Sequence, residues 1–324
     1  CVSLLAAEDQ VDAWCADRAI ECLEAHDTNR PFAMMVGFPS PHCPYDPPAD
    51  IAAMFDPAEM PPAFAPTAWT EPMRDWLIAN MKRPWADLDY TTFTAAQIGK
   101  VRAHYGALIH LVDRAVGRIL ETVQRLGIAD DTVVIFASDH GDFVGDFGMV
   151  GKNFFMEGSV RVPLVVAQPG QSPTVRQDTV TLTDLYATFL EIAGLPVRDG
   201  ASSQSVLAPP PQSSRTVFGA THRGFFAERD RLKLARYLGG DVTLHDVAQD
   251  PGEQTNLAGD VTHRAAQAAL DNALTDWQIA ETLKGHRDKT IVFDAAARAE
   301  PDGTPGILGR GWQRPYPYAP ETTT

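Results

Sequence analysis

A carboxylate and an imidazole stand side by side at Asp139 and His140, in Ser138-Asp139-His140-Gly141-Asp142, directly after the apolar run Val133-Val134-Ile135-Phe136-Ala137. Ligand sites in open α/β sheets gather outside the carboxyl ends of strands, so a metal or a catalytic pair is expected at this position. Asp-His-Gly is also a common polar turn, and that reading stays open for the tripeptide alone. Twelve positions after His140, Lys152 closes the loop that runs from Gly145 to Gly151. An ammonium returned beside a metal neutralises an anionic ester and the charge that grows on its oxygens during attack; taken singly, it is also an ordinary solvated loop lysine. His42 follows a second apolar run, Phe32 to Phe38, within Pro39-Ser40-Pro41-His42-Cys43-Pro44. An imidazole there can face the same rim as Asp139 and donate a proton near pH 7, or serve the loop's structure. His104 and His110 have no partner at ligand spacing and read as structural.

The elements around these residues alternate. Apolar residues at Val11, Trp14, Cys15, Ala19 and Leu23 have helical spacing, and Phe32 to Phe38 has the length and composition of a strand covered on both faces. A proline-rich surface excursion follows from Pro47 to Pro72. Thr94-Ala95-Ala96-Gln97 has the form of a capping box opening a long helix with Ile98, Val101, Tyr105, Leu108, Val112, Val116, Ile119, Val123 and Leu126 on one face, and Gly127 caps its end. Strands are predicted at Val133 to Ala137 and Val162 to Ala167, and a helix from about Asp184 to Ala193. This order indicates an α/β fold with a largely parallel sheet between helices. After the Ser/Pro/Gln stretch Ala201 to Ser214, the segments Arg231 to Tyr237 and Val242 to Val247 flank a Gly-Gly turn and read as a hairpin of a small antiparallel sheet, followed by a helix from about Val261 to Lys284. The expected divisions are 1–214 for the α/β domain, 215–300 for a small C-terminal subdomain and 301–324 for an irregular tail.

The 324 residues carry 27 Lys and Arg against 42 Asp and Glu, a formal charge of −15. That balance argues against nucleic acid as a partner, so an anionic substrate must be small and held locally. No apolar run is long enough to cross a bilayer, and the four cysteines have neither zinc-site spacing nor the density of a disulfide framework. The chain opens at Cys1 and enters a helix without a preceding strand, which suggests that its beginning is missing. A soluble protein of the cytoplasm or periplasm is expected, with the compartment and self-association into a homo-oligomer both undecided.

Several spaced blocks, in order, resemble the sulfatases of the alkaline phosphatase superfamily. Phe38-Pro39-Ser40-Pro41-His42-Cys43-Pro44 is similar to their F-x-x-P-H-x-P segment, and Tyr105 to Gly117 with Asp113 to their long central helix. Ser138 to Asp142, Gly145-Asp146, Gly151-Lys152, Glu157 and Arg161-Val162-Pro163-Leu164 are similar to their second metal-binding segment. Thr183 to Leu195, and Leu244-His245-Asp246-Val247 through Glu253 to Leu257, match later blocks. The resemblance implies an alkaline-phosphatase-like fold and a divalent cation held partly by Asp139 and His140, calcium first, with manganese or magnesium as alternatives. It further implies that His42 and Lys152 contact the sulfate group or its leaving oxygen. The family's nucleophile is a formylglycine made from Cys or Ser in C/S-x-P-x-R.

No Cys or Ser here begins that pattern; Thr70-Glu71-Pro72-Met73-Arg74 has its outline with threonine first. With nucleophile and paired aspartates expected in an absent N-terminal portion, the fragment alone is expected to be inactive. Many relatives carry His where this loop has Phe147, and Asn where it has His140. A phosphonate or phosphate ester hydrolase of the same superfamily, or a non-catalytic relative acting as a binding subunit, are the alternative readings.

Overall fold

The computed structural model describes residues 1–81, 90–197 and 202–287, and divides into two units, Cys1–Leu270 and Asp271–Thr324. The tail expected at 301–324 lies outside the described residues. In chain order the α-helices and strands are α1 (Val11–Ala25), α2 (Ala49–Ala52), α3 (Glu71–Met81), α4 (Ala95–Arg125), β1 (Val134–Ala137), α5 (Glu157–Val160), β2 (Leu164–Ala167), α6 (Asp184–Ile192), β3 (Val217–Thr221), β4 (Gly224–Arg229), β5 (Leu232–Tyr237), β6 (Val242–Asp246) and α7 (Arg264–Arg287).

The long helix α4 forms as its termini dictate. Gln97 N–H donates to Thr94 Oγ1 at 3.3 Å while Gln97 Oε1 accepts from Thr94 N–H at 2.8 Å, so two orphan donors of the first turn are satisfied. At the other end Gly127 takes φ +70° and Ile128 N–H donates to Val123 O, a Schellman closure. The buried stripe is Ala103, His104, Ala107, Leu108, Leu111, Val112, Ala115 and Val123. Its small residues suit close approach of α1, whose buried face is Asp12, Ala16, Ala19 and Leu23, whereas Val11 and Trp14, expected on the apolar side, are exposed. Asp12 is inside because it accepts from Ser40 N–H at 3.2 Å and Ser40 Oγ at 2.5 Å, which ties α1 to the segment ahead of His42.

One expectation is corrected. Phe32 to Phe38 is not a covered strand: no ladder is assigned there and Met35 is 96% exposed, because a run of apolar residues becomes a strand only beside a partner, and none of the described residues pairs with it. Among the described residues β1 and β2 pair antiparallel, with Val134 opposite Ala167 and Ala137 opposite Leu164. The chain between them holds a 3-10 turn at Asp146–Gly148 and the four-residue helix α5. The α/β class, the helices and the small C-terminal antiparallel sheet stand as expected. The excursion from Pro47 is also less superficial than its prolines suggest. Ile51 packs with Ala107, Leu108 and Leu111, and Met73 and Leu77 of α3 join a core of Phe143, Phe147, Met149, Phe154, Phe155, Met156, Ala235 and Tyr237. Thr70, with no exposed surface, exchanges hydrogen bonds with Thr67 at the start of α3, a structural use of its motif-like setting.

That core joins the loop following β1 to the second sheet, whose order is β3-β4-β5-β6, antiparallel throughout. Phe143, Phe154 and Phe155 are almost fully buried, and each contributes about 1.5–3 kcal/mol relative to exposure. On β6, His245 is 1% exposed; its Nδ1 donates to Thr255 O at 2.9 Å and its ring lies 4.6 Å from that of Trp69. Burial first, and then the positive charge of Lys233, lowers its pKa from 6.5 to about 4. The folded protein therefore resists a proton that the unfolded chain accepts. The associated stability is full above pH 6.5 and is lost as pH falls toward 4, a change of about 3 kcal/mol. His245→Gln should remove this dependence, so the stability gap between wild type and variant narrows by about 3 kcal/mol from pH 7 to pH 4 in urea titrations. An equal gap at both pH values would contradict the assignment.

Candidate active site

His42 and Lys152, 110 residues apart, meet: Lys152 Nζ lies 2.8 Å from His42 Nε2. His42 Nδ1 lies 2.7 Å from Cys43 O, which can only accept, so Nδ1 carries the ring proton and Nε2 offers its lone pair to the ammonium. The imidazole is exposed and Lys152 half-buried, so this pair opens to solvent rather than to the core.

Asp139 and His140 sit where β1 ends. His140 Nδ1 donates to Gly141 O at 2.9 Å, Asp139 Oδ1 accepts from His140 N–H at 2.9 Å, and Asp139 Oδ2 lies 3.4 Å from His140 Nε2. The Asp139 side chain is 83% exposed, and the Nε2 lone pair of His140 is directed beside it. A carboxylate oxygen with an imidazole nitrogen is a donor set that suits a divalent cation and extends its range from calcium toward transition metals. The two donors fit as part of a shell. Among the described residues no group of three or more His, Cys, Asp or Glu gathers that could hold an ion. Gly141 is required by space: a Cβ there would lie 2.2 Å from Gly158 O, and its N–H donates to Ser159 O at 2.8 Å.

Between the two pairs lies Asp142, whose carboxylate is fully engaged. Oδ2 accepts from Tyr45 O–H at 2.7 Å, and Oδ1 accepts from Val144 N–H and Gly151 N–H, each at 2.9 Å. Asp146 is held by Arg102 and accepts from Phe64 N–H at 2.9 Å. Thus Asp142 and Asp146 of the motif brace their own loop. Tyr105 on α4 sits close enough to Asp142 and Asp139 that, after burial, their charges help push its phenol up to about 12. Burial, and then Asp142, raises Tyr45 as well. Tyr45, Asp142 and Asp12 hold the loops of these residues through hydrogen bonds, and of the three only Asp142, the acidic residue after Asp-His-Gly, gave any signal in the sequence.

A family model described as Sulfatase matches residues 7–195. The chain belongs to the sulfatase family. A second model, described as N-sulphoglucosamine sulphohydrolase, C-terminal, matches residues 145–280. The chain is 30% identical to the choline-sulfatase of Rhizobium meliloti (strain 1021) over 285 residues, covering 84% of this chain and 54% of that protein. It is 27% identical to the arylsulfatase of Clostridium perfringens (strain 13 / Type A), covering 75% and 53%. In fold it is similar to the phosphonate monoester hydrolase of Agrobacterium radiobacter, with a TM-score of 0.74 at 24% identity over 86% of this chain and 62% of that one. The chain spans about half the length of the curated relatives it matches.

In this sulfatase-family chain the loop carrying Lys152 is anchored on its far side by buried charge. Glu157 opens α5, and its N–H donates to Glu253 Oε2 at 2.6 Å. Lys233 of β5, 2% exposed, lies 2.8 Å from Glu157 Oε1 and 2.9 Å from Glu253 Oε1. Arg231 adds contacts of 3.2 Å to Glu157 and 3.4 Å to Glu228. Burial works to raise Glu157, yet Lys233 and Arg231 outweigh it and hold this carboxyl below its usual range; for Glu253 and Glu228 burial wins and raises them. No helix among the described residues is long and apolar enough to cross a membrane.

Proposed function

We propose that this sulfatase-family protein hydrolyses sulfate esters, with His42 and Lys152 acting on the anionic group and its leaving oxygen. The observation that carries the reading is the 2.8 Å approach of Lys152 Nζ to His42 Nε2, which sets a fixed positive charge and a proton-accepting nitrogen at one exposed point. Lys152 neutralises the non-bridging oxygens and the charge that grows on them. His42 takes a proton from Lys152 at Nε2 and passes it to the leaving oxygen, so that the alcohol departs neutral and Lys152 is left as the amine. Asp139 and His140 would hold a divalent cation, calcium first with manganese or magnesium as alternatives, that supplies Lewis-acid polarisation of the ester oxygens. The nucleophile expected is a formylglycine, and no Cys or Ser among these residues begins C/S-x-P-x-R. The strong negative charge of the chain favours a small ester over a polyanion.

The test uses the full-length protein on matched aryl sulfates, phosphate monoesters and phosphonate monoesters, with and without a chelator. Sulfate release that the chelator abolishes is expected. Dominant phosphate or phosphonate cleavage would replace the sulfatase reading with the phosphonate and phosphate ester alternative, which the fold likeness also accommodates. No turnover of any ester, with bound ligand retained, would leave the non-catalytic binding subunit.

A further inference from the structure

We propose that Tyr45 and Asp142 are positioning residues that set the distance between His42 and Lys152. The inference rests on reading that pair as the groups that meet the ester. The two side chains come from loops far apart in sequence, and each loop is tied to the same carboxylate. Tyr45 lies three residues beyond His42 and donates its O–H to Asp142 Oδ2 at 2.7 Å. Gly151, immediately before Lys152, donates its N–H to Asp142 Oδ1 at 2.9 Å. Lys152 is therefore one residue, and His42 three, from groups fixed on a single side chain.

Both attachments are backed by buried structure. The carbonyl of Tyr45 accepts from His104 Nδ1 at 2.9 Å, and His104 is buried on α4. The Tyr45 ring packs against the cluster of Ile51, Ala107, Leu108 and Leu111. On the other side, Gly151 O accepts from Phe143 N–H at 2.8 Å, and Phe143 has no exposed surface. A carboxylate suits the junction because it accepts from three donors at once, whereas an amide has one oxygen to offer. Ionic acceptors also make the stronger bonds, so the clamp resists thermal opening more than a neutral contact would.

The brace is tested by the imidazole ¹⁵N spectrum of His42, assigned by its disappearance in His42→Gln, in wild type and Tyr45→Phe. Phenylalanine keeps the ring packing and removes only the O–H. In wild type, Nδ1 should give the signal of a protonated nitrogen and Nε2 that of a hydrogen-bond acceptor. In Tyr45→Phe the two signals should converge as the loop slips and the tautomers mix. In the full-length enzyme, kcat should fall by up to about 10²-fold with KM little changed. Asp142→Asn, which retains an oxygen for Gly151 N–H, should give an intermediate spectrum. A merely structural Tyr45 would lower the melting temperature and leave the His42 signals where they are. Unchanged signals in Tyr45→Phe would overturn the proposal whatever the rates do. Wild-type protein inactive on every ester would overturn the functional reading instead, with the spectra still deciding the brace.

Discussion

Alanine at position 152 is expected to lower kcat of the full-length enzyme by about 10²–10³-fold, the loss seen when one preorganised donor to a developing oxyanion is removed. The effect should fall on the chemical step, since the attraction of Lys152 to the ester grows as charge moves onto oxygen. Arginine should not restore the rate. Its planar fork cannot occupy the point contact of 2.8 Å that Nζ makes with His42 Nε2. The loop's shape does not depend on the lysine side chain, because Gly151 is held through its own N–H and C=O by Asp142 and Phe143. Unfolding free energy should then change by no more than about 0.5 kcal/mol. Single-turnover rates on an aryl sulfate, read beside urea titrations, check both halves. A rate within a few-fold of wild type would remove Lys152 from the reaction.

Lys233→Ala should instead cost about 3–5 kcal/mol of stability, because it leaves the buried Glu253 carboxylate without the ammonium it shares with Glu157, which keeps only Arg231 at 3.2 Å and Arg161 at 3.8 Å. The size of the deficit should depend on pH. Glu253 and Glu228 are already raised by burial, and without Lys233 they rise further. A carboxyl with a raised folded pKa favours folding below its unfolded value of 4.5 and loses that contribution as pH climbs through the folded value. The variant's deficit is thus smaller at pH 5 than at pH 7, where the stranded groups must ionise or take a proton against the solvent. Denaturant titrations at the two pH values measure it. A loss under about 1 kcal/mol, as for an exposed pair, would show that the cluster is solvated.

What could be read in advance was whatever neighbouring residues decide among themselves. The Thr94–Gln97 box and the Gly127 closure of α4 involve partners within five residues, and both form as written. The turn at Gly239 and Gly240, both at positive φ, places β5 and β6 where the pattern put them. Asp139 and His140 stand just past the end of β1, where a polar tripeptide follows an apolar run. The errors lie where a distant partner decides. Asp12 looks like a surface residue until Ser40 supplies its hydrogen bonds, and the apolar appearance of Val11 and Trp14 misidentified the buried face. Phe147 is buried at φ +56°, stacked on Phe64, and nothing in its neighbours announces a left-handed phenylalanine. Strands β3 and β4 alternate too weakly to separate from loop. For the candidate site, residue types and spacing named His42 and Lys152, but the shared carboxylate between their loops depends on a tyrosine 97 positions away.

The bond from Glu157 N–H to Glu253 spans 96 positions, and that from Lys233 to Glu157 spans 76. A nascent chain that has just delivered Lys152 to the exit tunnel therefore lacks the groups that pin α5. Synthesis proceeds at about 5–20 residues per second, so several seconds pass before the ribosome supplies them. Throughout that interval the apolar triplet of Phe154, Phe155 and Met156 has no sheet to sit on. A codon-level slowdown downstream of β2 would prolong this window of exposed apolar surface.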